Sequence, residues 1–582
     1  MPLPSQPTRR WTPAPIPESA GILEEGGTPA WLAVLLARRG VADLESADTF
    51  LNPRAENLLP PSDLQGISAA VERIRTARER CEKIAIVGDY DVDGISATAL
   101  LLAVFRASGL EAEAILPNRL DEGYGFQALH VERARQSGCS LIVTADCGTT
   151  AVEAVEAAQV GGIDVIITDH HLPDSEPISG AIEINPKRQH DYASPNLAGA
   201  GVALKLALAV CDEFDRSIEV GALLRVACLG TICDMVPLVG ENRTIAAVGL
   251  EELGRTRSVG LKELLGRADV RVPVTASDVG FRIGPRLNAA GRMSRPDDAL
   301  ELLMTRDRNR AASLAEHLDE WNRSRQAAEK RAFEEALEIF AGRDPLPPVL
   351  VSWSDDWHPG VVGIAAGRVA RKFHRPTVLF SVEGEWATGS GRSISDIHLH
   401  EFLGLWTGEY ERFGGHAQAI GIKVPAQRLE GLRTLWEDKA QELWDEETLT
   451  REYRFELEMP VSALNNELVA QLGCLEPFGI GNQQPVLRVG PLIAKGRPRL
   501  FGKGHLGIAA EGEDGAPIDL LGWGWADRAA DLEGSFEVLG CLEMNDYTKR
   551  PVLRLVDARP WERHAETSAH EGAVPRRMNP DG

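Results

Sequence analysis

Three aspartates on alternate residues, Asp89, Asp91 and Asp93, close the apolar run Ile84-Ala85-Ile86-Val87-Gly88. Three like charges within five residues repel one another unless a cation lies among them. Further on, Asp146 follows the apolar residues 140–145, and Asp169-His170-His171 follows residues 163–168. Asp234 arrives separately, in Gly230-Thr231-Ile232-Cys233-Asp234-Met235-Val236-Pro237-Leu238. Together Asp91, Asp93, Asp146, His170 and Asp234 make a set of carboxylate oxygens with one imidazole. Carboxylates suit Mg2+ and Mn2+, and the imidazole tilts the set towards Mn2+. Four carboxylates exceed what one divalent ion needs; two ions roughly 3.5–4 Å apart, bridged by a shared aspartate, use them all. Such a pair activates water as a nucleophile and stabilises the leaving oxygen of a phosphoester. Any one of these aspartates taken alone reads better as a turn or helix-cap residue. Acids at the ends of three strands of one sheet do not.

Those strands are what must position the acids. Residues 84–87 are short, β-branched and apolar on both faces, which predicts a buried strand of a parallel sheet. Gly94 opens an apolar helix over 95–105, so all three aspartates are expected on the turn at the strand's carboxyl end, where open α/β sheets bind ligands. Further strands are expected at 112–116, 140–145 and 163–168, with helices between them and one before, at 67–81. The pattern is an α/β doubly wound parallel sheet, whose carboxyl ends share one edge. Asp234 comes from mostly helical sequence.

The remaining chain divides by composition. Residues 1–50 read as a Pro-rich N-terminal arm with a short helix over 29–39, and 51–300 hold the acid-bearing sheet. Within 301–344, the stretch from Asp307 to Ala341 is rich in Ala, Glu and Arg and almost free of Gly and Pro, which predicts a long connecting helix. Residues 345–447 form a smaller α/β unit, with strands at 349–351 and 377–380 and a helix reaching Lys372. Short alternating strands with Gly and Pro turns over 452–562 predict an all-β, OB-like barrel. Residues 563–582 are polar and expected to be a disordered tail. No internal repeat is evident.

Composition narrows the function classes. A formal net charge of -24 argues against coating nucleic acid by bulk attraction, but not against a nuclease that gathers carboxylates and places basic groups locally. The 582 residues, 43% hydrophobic and 25% charged, are ordinary for a globular protein with several cores. Eight cysteines form no CxxC pair and no zinc-like spacing, so reduced thiols of a cytoplasmic protein are expected. Arg9-Arg10 lead into Trp11-Thr12-Pro13-Ala14-Pro15, so no secretion signal is expected, and no run approaches a membrane span.

Several groups could hold a phosphate or a base. Arg119 and Tyr124, in Pro117-Asn118-Arg119-Leu120-Asp121-Glu122-Gly123-Tyr124-Gly125, fall on the same sheet edge as the acids. An arginine binds phosphate bidentately and a tyrosine stacks on a base; alone, the pair reads better as a solvated arginine and a packed tyrosine. Ser390, Gly391 and Arg392 offer a hydroxyl, close backbone approach and a guanidinium, the parts of a phosphate cradle. Arg286 and His416 are further candidates, with a charge-stabilised turn the alternative for Arg286. Lys495, Arg497 and Arg499 precede Phe501 and read equally as a strand-binding groove or a solvated hairpin.

The order Asp89-Tyr90-Asp91-Val92-Asp93-Gly94, Asp146-Cys147-Gly148, Asp169-His170-His171, Asp234-Met235-Val236-Pro237 resembles the DHH phosphoesterase superfamily. Within it the chain is most similar to the RecJ family of single-strand-specific 5′→3′ DNA exonucleases, from about residue 40 to about residue 560. Gly284-Pro285-Arg286-Leu287-Asn288-Ala289-Ala290-Gly291-Arg292, His358-Pro359-Gly360-Val361-Val362-Gly363, Ser390-Gly391-Arg392-Ser393 and Gly414-Gly415-His416 extend the likeness, the last three in what resembles the DHH-associated domain. The resemblance implies two Mn2+ or Mg2+ ions per active site, held by Asp91, Asp93, Asp146, His170 and Asp234. It also implies release of mononucleotides from the 5′ end of single-stranded DNA, in recombination and repair. Substrate contacts would come from Arg119, Tyr124, Arg286, Asn288, Ser390, Gly391, Arg392 and His416. Single-strand-binding protein and a helicase are the partners it suggests. His171 either touches the scissile phosphate or only orients its neighbours. Many superfamily members carry a histidine where this chain has Val87, so either Asp89 takes over as a ligand or one ion has fewer protein ligands.

Two other readings use the same residues. A phosphodiesterase for short oligonucleotides, cyclic dinucleotides or polyphosphate would keep the metal site, but it needs neither barrel nor connector. A non-catalytic single-strand-binding scaffold would not need intact metal ligands.

Overall fold

A short first strand, β1 (Arg9–Pro13), stands apart from the sheet that carries the acids. That sheet comprises β2 (Lys83–Gly88), β3 (Glu111–Ile115), β4 (Cys139–Ala145), β5 (Asp164–Thr168) and β6 (Ala181–Ile184), all parallel, in the order β3-β2-β4-β5-β6. The computed structural model describes residues 9–117, 125–174, 176–293, 295–502, 504–545 and 547–561. Arg119, Tyr124, Lys503 and the expected tail therefore lie outside the described residues. Strand β2 is buried almost throughout because both faces are covered. Helices Ile67–Glu79, Val92–Ala107 and Gly199–Glu213 pack on one face, and Ala128–Gln136 and Val152–Val160 on the other. The chain leaves β2 towards β3 on one side and returns to β4 on the other. That reversal opens a crevice at the carboxyl ends of β2 and β4, the place where such sheets bind ligands. Asp89 and Asp146 immediately follow these two strands.

The helix after β2 departs from the sequence expectation. It begins at Val92, not after Gly94, because the Asp91 side chain caps it by accepting from the Asp93 and Gly94 amides. Asp93 is thereby lifted off the turn into the first helical turn. Strand β6, not foreseen, extends the sheet past β5.

A second layer of helices, from Val220–Cys233 to Asp297–Met304, builds a core against the start of Val92–Ala107. Helix Arg308–Ala341, capped by Asp307, then spans 34 residues, about 50 Å at 1.5 Å per residue. Its Ala311, Leu314, Ala315 and Leu318 belong to that core, whereas Ala332, Ala336 and Phe340 belong to the next one, with helix Val362–Phe373. One rigid element is thus shared by two domains. The second domain has β7 (Leu350–Ser354), β8 (Thr377–Glu383), β9 (Trp386–Arg392), β10 (Arg412–His416) and β11 (Ala419–Pro425), in the order β10-β11-β9-β8-β7.

The C-terminal strands are β12 (Arg451–Phe455), β13 (Leu457–Glu458), β14 (Leu487–Phe501), β15 (His505–Gly512), β16 (Pro517–Gly522), β17 (Ser535–Met544) and β18 (Pro551–Pro560). Strand β14 pairs with both β15 and β17, and β16 joins β18, so β14-β15-β16-β18-β17 closes into a five-stranded barrel. Register shifts in β14 let one long strand bend between two partners. The first fifty residues are more than an arm with one helix. β1 pairs with β12, and helices Ser19–Glu25, Ala30–Arg38 and Leu44–Leu51 share the barrel's apolar core. All eight cysteines are free, and among the described residues no helix is long and apolar enough to cross a membrane.

Candidate active site

At the crevice, the three acid-bearing strand ends and Asp234 meet. His170 Nε2 lies 3.1 Å from Asp146 Oδ1, 3.5 Å from Asp234 Oδ2 and 3.9 Å from Asp93 Oδ2. Ligand atoms of Asp93, His170 and Asp234 all fall within 4.8 Å of one another, and so do those of Asp89, Asp91 and Asp146. The chain thus presents two adjacent three-ligand groups. Asp89, whose part the sequence left open, stands in the second. Val87 is fully buried and apolar, so it offers no ligand in place of the missing histidine.

Backbone seats several of these candidate ligands. The Gly199 and Ala200 amides, at the start of helix Gly199–Glu213, donate to the Asp93 carboxylate at 2.7 and 2.9 Å. A Cβ on Gly199 would overlap the Asp146 carboxylate, and one on Gly230 the Asp93 carboxylate, so both acids are seated against bare backbone. Asp146 adopts φ 65°, a left-handed conformation that turns its side chain back over the sheet edge. The Leu197 backbone supports the His170 ring, whose Nε2 is buried among the carboxylates without a hydrogen-bond partner. Asp234 is the first residue after helix Val220–Cys233.

Electrostatics shows what the pocket lacks. Burial, then Asp234 and Asp91, pushes the Asp93 carboxyl well up; burial, then Asp93, does the same to Asp146. Burial and Asp91 raise Asp234 to about 7. His170 falls to about 3, chiefly through burial and then His171, so it is neutral. Asp146 Oδ1 and His170 Nε2 are buried without a hydrogen-bond partner. Buried polar atoms are rarely left so unless an ion or water completes them. A hard-oxygen set with one neutral imidazole and two unsatisfied atoms fits Mn2+ or Mg2+.

Asp169 does different work from its neighbours. Its Oδ1 accepts from the His170 amide and faces His171 Nδ1 at 2.7 Å, and its Oδ2 accepts from the Thr149 amide. Burial opposes charge on His171, but the Asp169 hydrogen bond and the attraction of the Asp169, Asp234 and Asp89 carboxylates together outweigh it and raise the imidazole to about 9. His171 also lies within ligand distance of Asp146 and His170, yet an imidazolium has no lone pair for a metal. Lys187, unforeseen in the sequence, faces Asp234 and Asp169 from the turn after β6.

Of the phosphate candidates, Ser390 and Arg392 converge. A Cβ on Gly363, in the first turn of helix Val362–Phe373, would lie 3.1 Å from both Ser390 Oγ and an Arg392 guanidinium nitrogen. A helix N-terminus, a hydroxyl and a guanidinium are the kinds of donor that bind anions, and the guanidinium also donates to the Gly391 carbonyl. Gly391 is buried between them on β9. Helix Gly284–Met293 links this patch to the acids: Asn288 accepts from the Val92 amide, and Arg292 donates to the Gly360 carbonyl. Asn288 therefore braces the acidic turn. Arg286 is engaged by Asp319 of the long helix and by the Arg282 carbonyl, so its guanidinium is held by protein. His416 is exposed at the end of edge strand β10.

On the barrel, Lys495 pairs with Glu511, while Arg497 and Arg499 flank a groove of about 730 Å³. Phe501, Trp523, Met544 and Tyr547 also line it, with Trp523 53% and Tyr547 98% exposed. The sequence reading missed Trp523 and Tyr547. Exposed aromatics on turns leave no periodic signal, and only the closed barrel brings them beside the arginines.

Profiles of known families match three parts of this chain: the DHH family, N-terminal domain, over residues 83–231, the DHHA1 domain over 346–442 and the RecJ OB domain over 455–556. The single-stranded-DNA-specific exonuclease RecJ of Bacillus subtilis is 34% identical over 537 residues, covering 90% of this chain and 67% of that one. The RecJ of Dickeya dadantii is 35% identical, covering 92% of this chain and 96% of that one. Solved structures agree. RecJ from Thermus thermophilus in complex with Mn2+ matches with a TM-score of 0.82 at 28% identity, over 95% of this chain and 80% of that one. Its Mg2+ complex matches with a TM-score of 0.76 at 26% identity, over 95% and 79%.

Proposed function

This chain belongs to the RecJ family of single-stranded-DNA-specific exonucleases, and from that premise we propose that it hydrolyses single-stranded DNA from the 5′ end, releasing mononucleotides, with two Mn2+ or Mg2+ ions. The observation that carries the proposal is the pair of adjacent ligand groups at the switch point of the sheet. Asp89, Asp91 and Asp146 would hold one ion, and Asp93, His170 and Asp234 the other, with Asp146, 3.1 Å from His170 Nε2, shared between the two. Bound there, the pair supplies activation of water and neutralises charge on the phosphate under attack.

The protein's own groups do the rest. His171, kept as an imidazolium beside Asp169, would donate to a phosphate oxygen beside the ligands. Lys187 adds a second cation on that side. Ser390, Arg392 and the start of helix Val362–Phe373 would take the terminal 5′-phosphate, which carries more charge than an internal phosphodiester. The barrel groove would hold the strand by stacking on Trp523 and Tyr547, with Arg497 and Arg499 against the backbone. Free cysteines support a cytoplasmic setting. There a helicase would supply the strand, and single-strand-binding protein would cover it.

The test compares a 5′-labelled with a 3′-labelled single strand in Mn2+. The 5′ label should leave at once as mononucleotide, while the 3′ label shortens progressively. Immediate loss of the 3′ label, or no product from either, would refute the proposal.

A further inference from the structure

Asp234 differs from the other ligands in how it is held. Asp89, Asp91, Asp146 and His170 stand in turns that follow strands, and Asp93 in the first turn of helix Val92–Ala107, whereas Asp234 is on the loop joining helices Val220–Cys233 and Gly240–Gly254. Its neighbour Met235 is at φ 63° and 66% exposed. A loop carboxylate drifts unless the loop is clamped. On one side Asn242 Nδ2 donates to the Pro237 carbonyl at 3.1 Å. On the other side lies a turn of the C-terminal domain. The Leu238 amide donates to the Ile480 carbonyl at 2.7 Å. A Cβ on Gly479 would lie 2.6 Å from Leu238 Cδ1, and one on Gly481, at φ +71°, 2.9 Å from Pro237 Cβ.

That turn is itself rigid. Asn482, fully buried, donates to the Leu475 and Pro477 carbonyls and accepts from Arg39 Nε at 2.6 Å. Arg243, buried in the helix just after the Asp234 loop, donates to the carbonyls of Leu475, Cys474, Glu476 and Phe50. The segment is thus anchored on the very helix that begins where the Asp234 loop ends.

We propose that residues 479–482 are a positioning clamp for Asp234, so that the C-terminal domain sets the affinity of one of the two metals. The inference rests on the reading of Asp234 as a metal ligand. Gly481 and Gly479 are positioning residues in it; neither touches metal or substrate.

The test measures Mn2+ binding to the full-length, metal-free protein by electron paramagnetic resonance. Gly481→Ala and Gly479→Ala are compared with wild type and with Gly524→Ala. Gly524 is a matched control in the same domain, at φ +73° with nothing within 4 Å of an added Cβ. Displaced supporting groups typically weaken metal binding by roughly 10–100-fold. Gly481→Ala and Gly479→Ala should weaken one Mn2+ site by that order and leave the other site, and single-strand binding without metal, unchanged. Gly524→Ala should match wild type. If Gly481→Ala unfolds, Gly479→Ala, which adds no left-handed strain, carries the test. Two wild-type Mn2+ affinities in both variants would overturn the clamp. If Asp234→Ala also leaves both sites intact, the fault lies instead with Asp234 as a ligand.

Discussion

Asp146 bears most of the strain in the site. It is buried, left-handed, short of a hydrogen-bond partner and surrounded by Asp93, Asp91, Asp234 and Asp89. A carboxyl whose pKa is raised by folding contributes stability that is complete below its ordinary value of 3.8 and is lost as pH rises through the folded value. Asp234 completes its loss near 7. Metal-free wild type should therefore melt lower at pH 8 than at pH 5, and Asp146→Asn should melt higher than wild type at pH 8 with a smaller difference at pH 5. Mn2+ at about 100 times its Kd should stabilise wild type by roughly 2.7 kcal/mol per ion. Asp146→Asn should gain little and hydrolyse almost nothing. Differential scanning calorimetry with and without Mn2+ checks this; equal melting points for the two metal-free proteins at pH 8 would contradict it. The convergence of Asp89, Asp91 and Asp146 was legible in the sequence because a strand end followed by acids is a local pattern. The engagement of Arg286 by Asp319 was not, because it depends on how two distant helices pack.

At the level of elements, the long helix joins the acid-bearing domain to the one that carries Ser390 and Arg392. Its composition announced it, since 34 residues rich in Ala, Glu and Arg and without a breaker favour a helix. The early start of helix Val92–Ala107 was less visible: Gly94 looks like an opener, but the Asp91 cap acts two residues sooner. The first fifty residues were the least legible, because β1 pairs with residues more than 400 positions away. Arg392, on β9 beside helix Val362–Phe373, gives the sharpest test at this scale. Arg392→Ala should lower kcat/KM on 5′-phosphorylated strands more than on 5′-hydroxyl strands, because a terminal phosphate offers extra acceptor oxygens. An unchanged ratio of the two would place end recognition elsewhere.

Across the whole molecule, the candidate groups fall in three places: the clustered acids at the switch point, Ser390 and Arg392 on the second domain, and aromatics with arginines on the barrel. A net charge of -24 is compatible with DNA binding because the contacts are local. Removing everything after residue 445 would strip the shared core from helices Ala30–Arg38 and Leu44–Leu51, so point changes probe the barrel more cleanly. Trp523→Ala should weaken binding of long strands by about 1–3 kcal/mol, and Arg499→Ala should flatten the salt dependence of binding. Fluorescence anisotropy across a salt series checks both, and unchanged affinity and slope would exclude the groove. The central claim is that the crevice acids form two metal sites that share Asp146. Counting Mn2+ bound at equilibrium tests it most directly: wild type should hold two ions per chain, and Asp146→Ala neither at comparable affinity. One ion or none in wild type, or two unperturbed ions in Asp146→Ala, would contradict it.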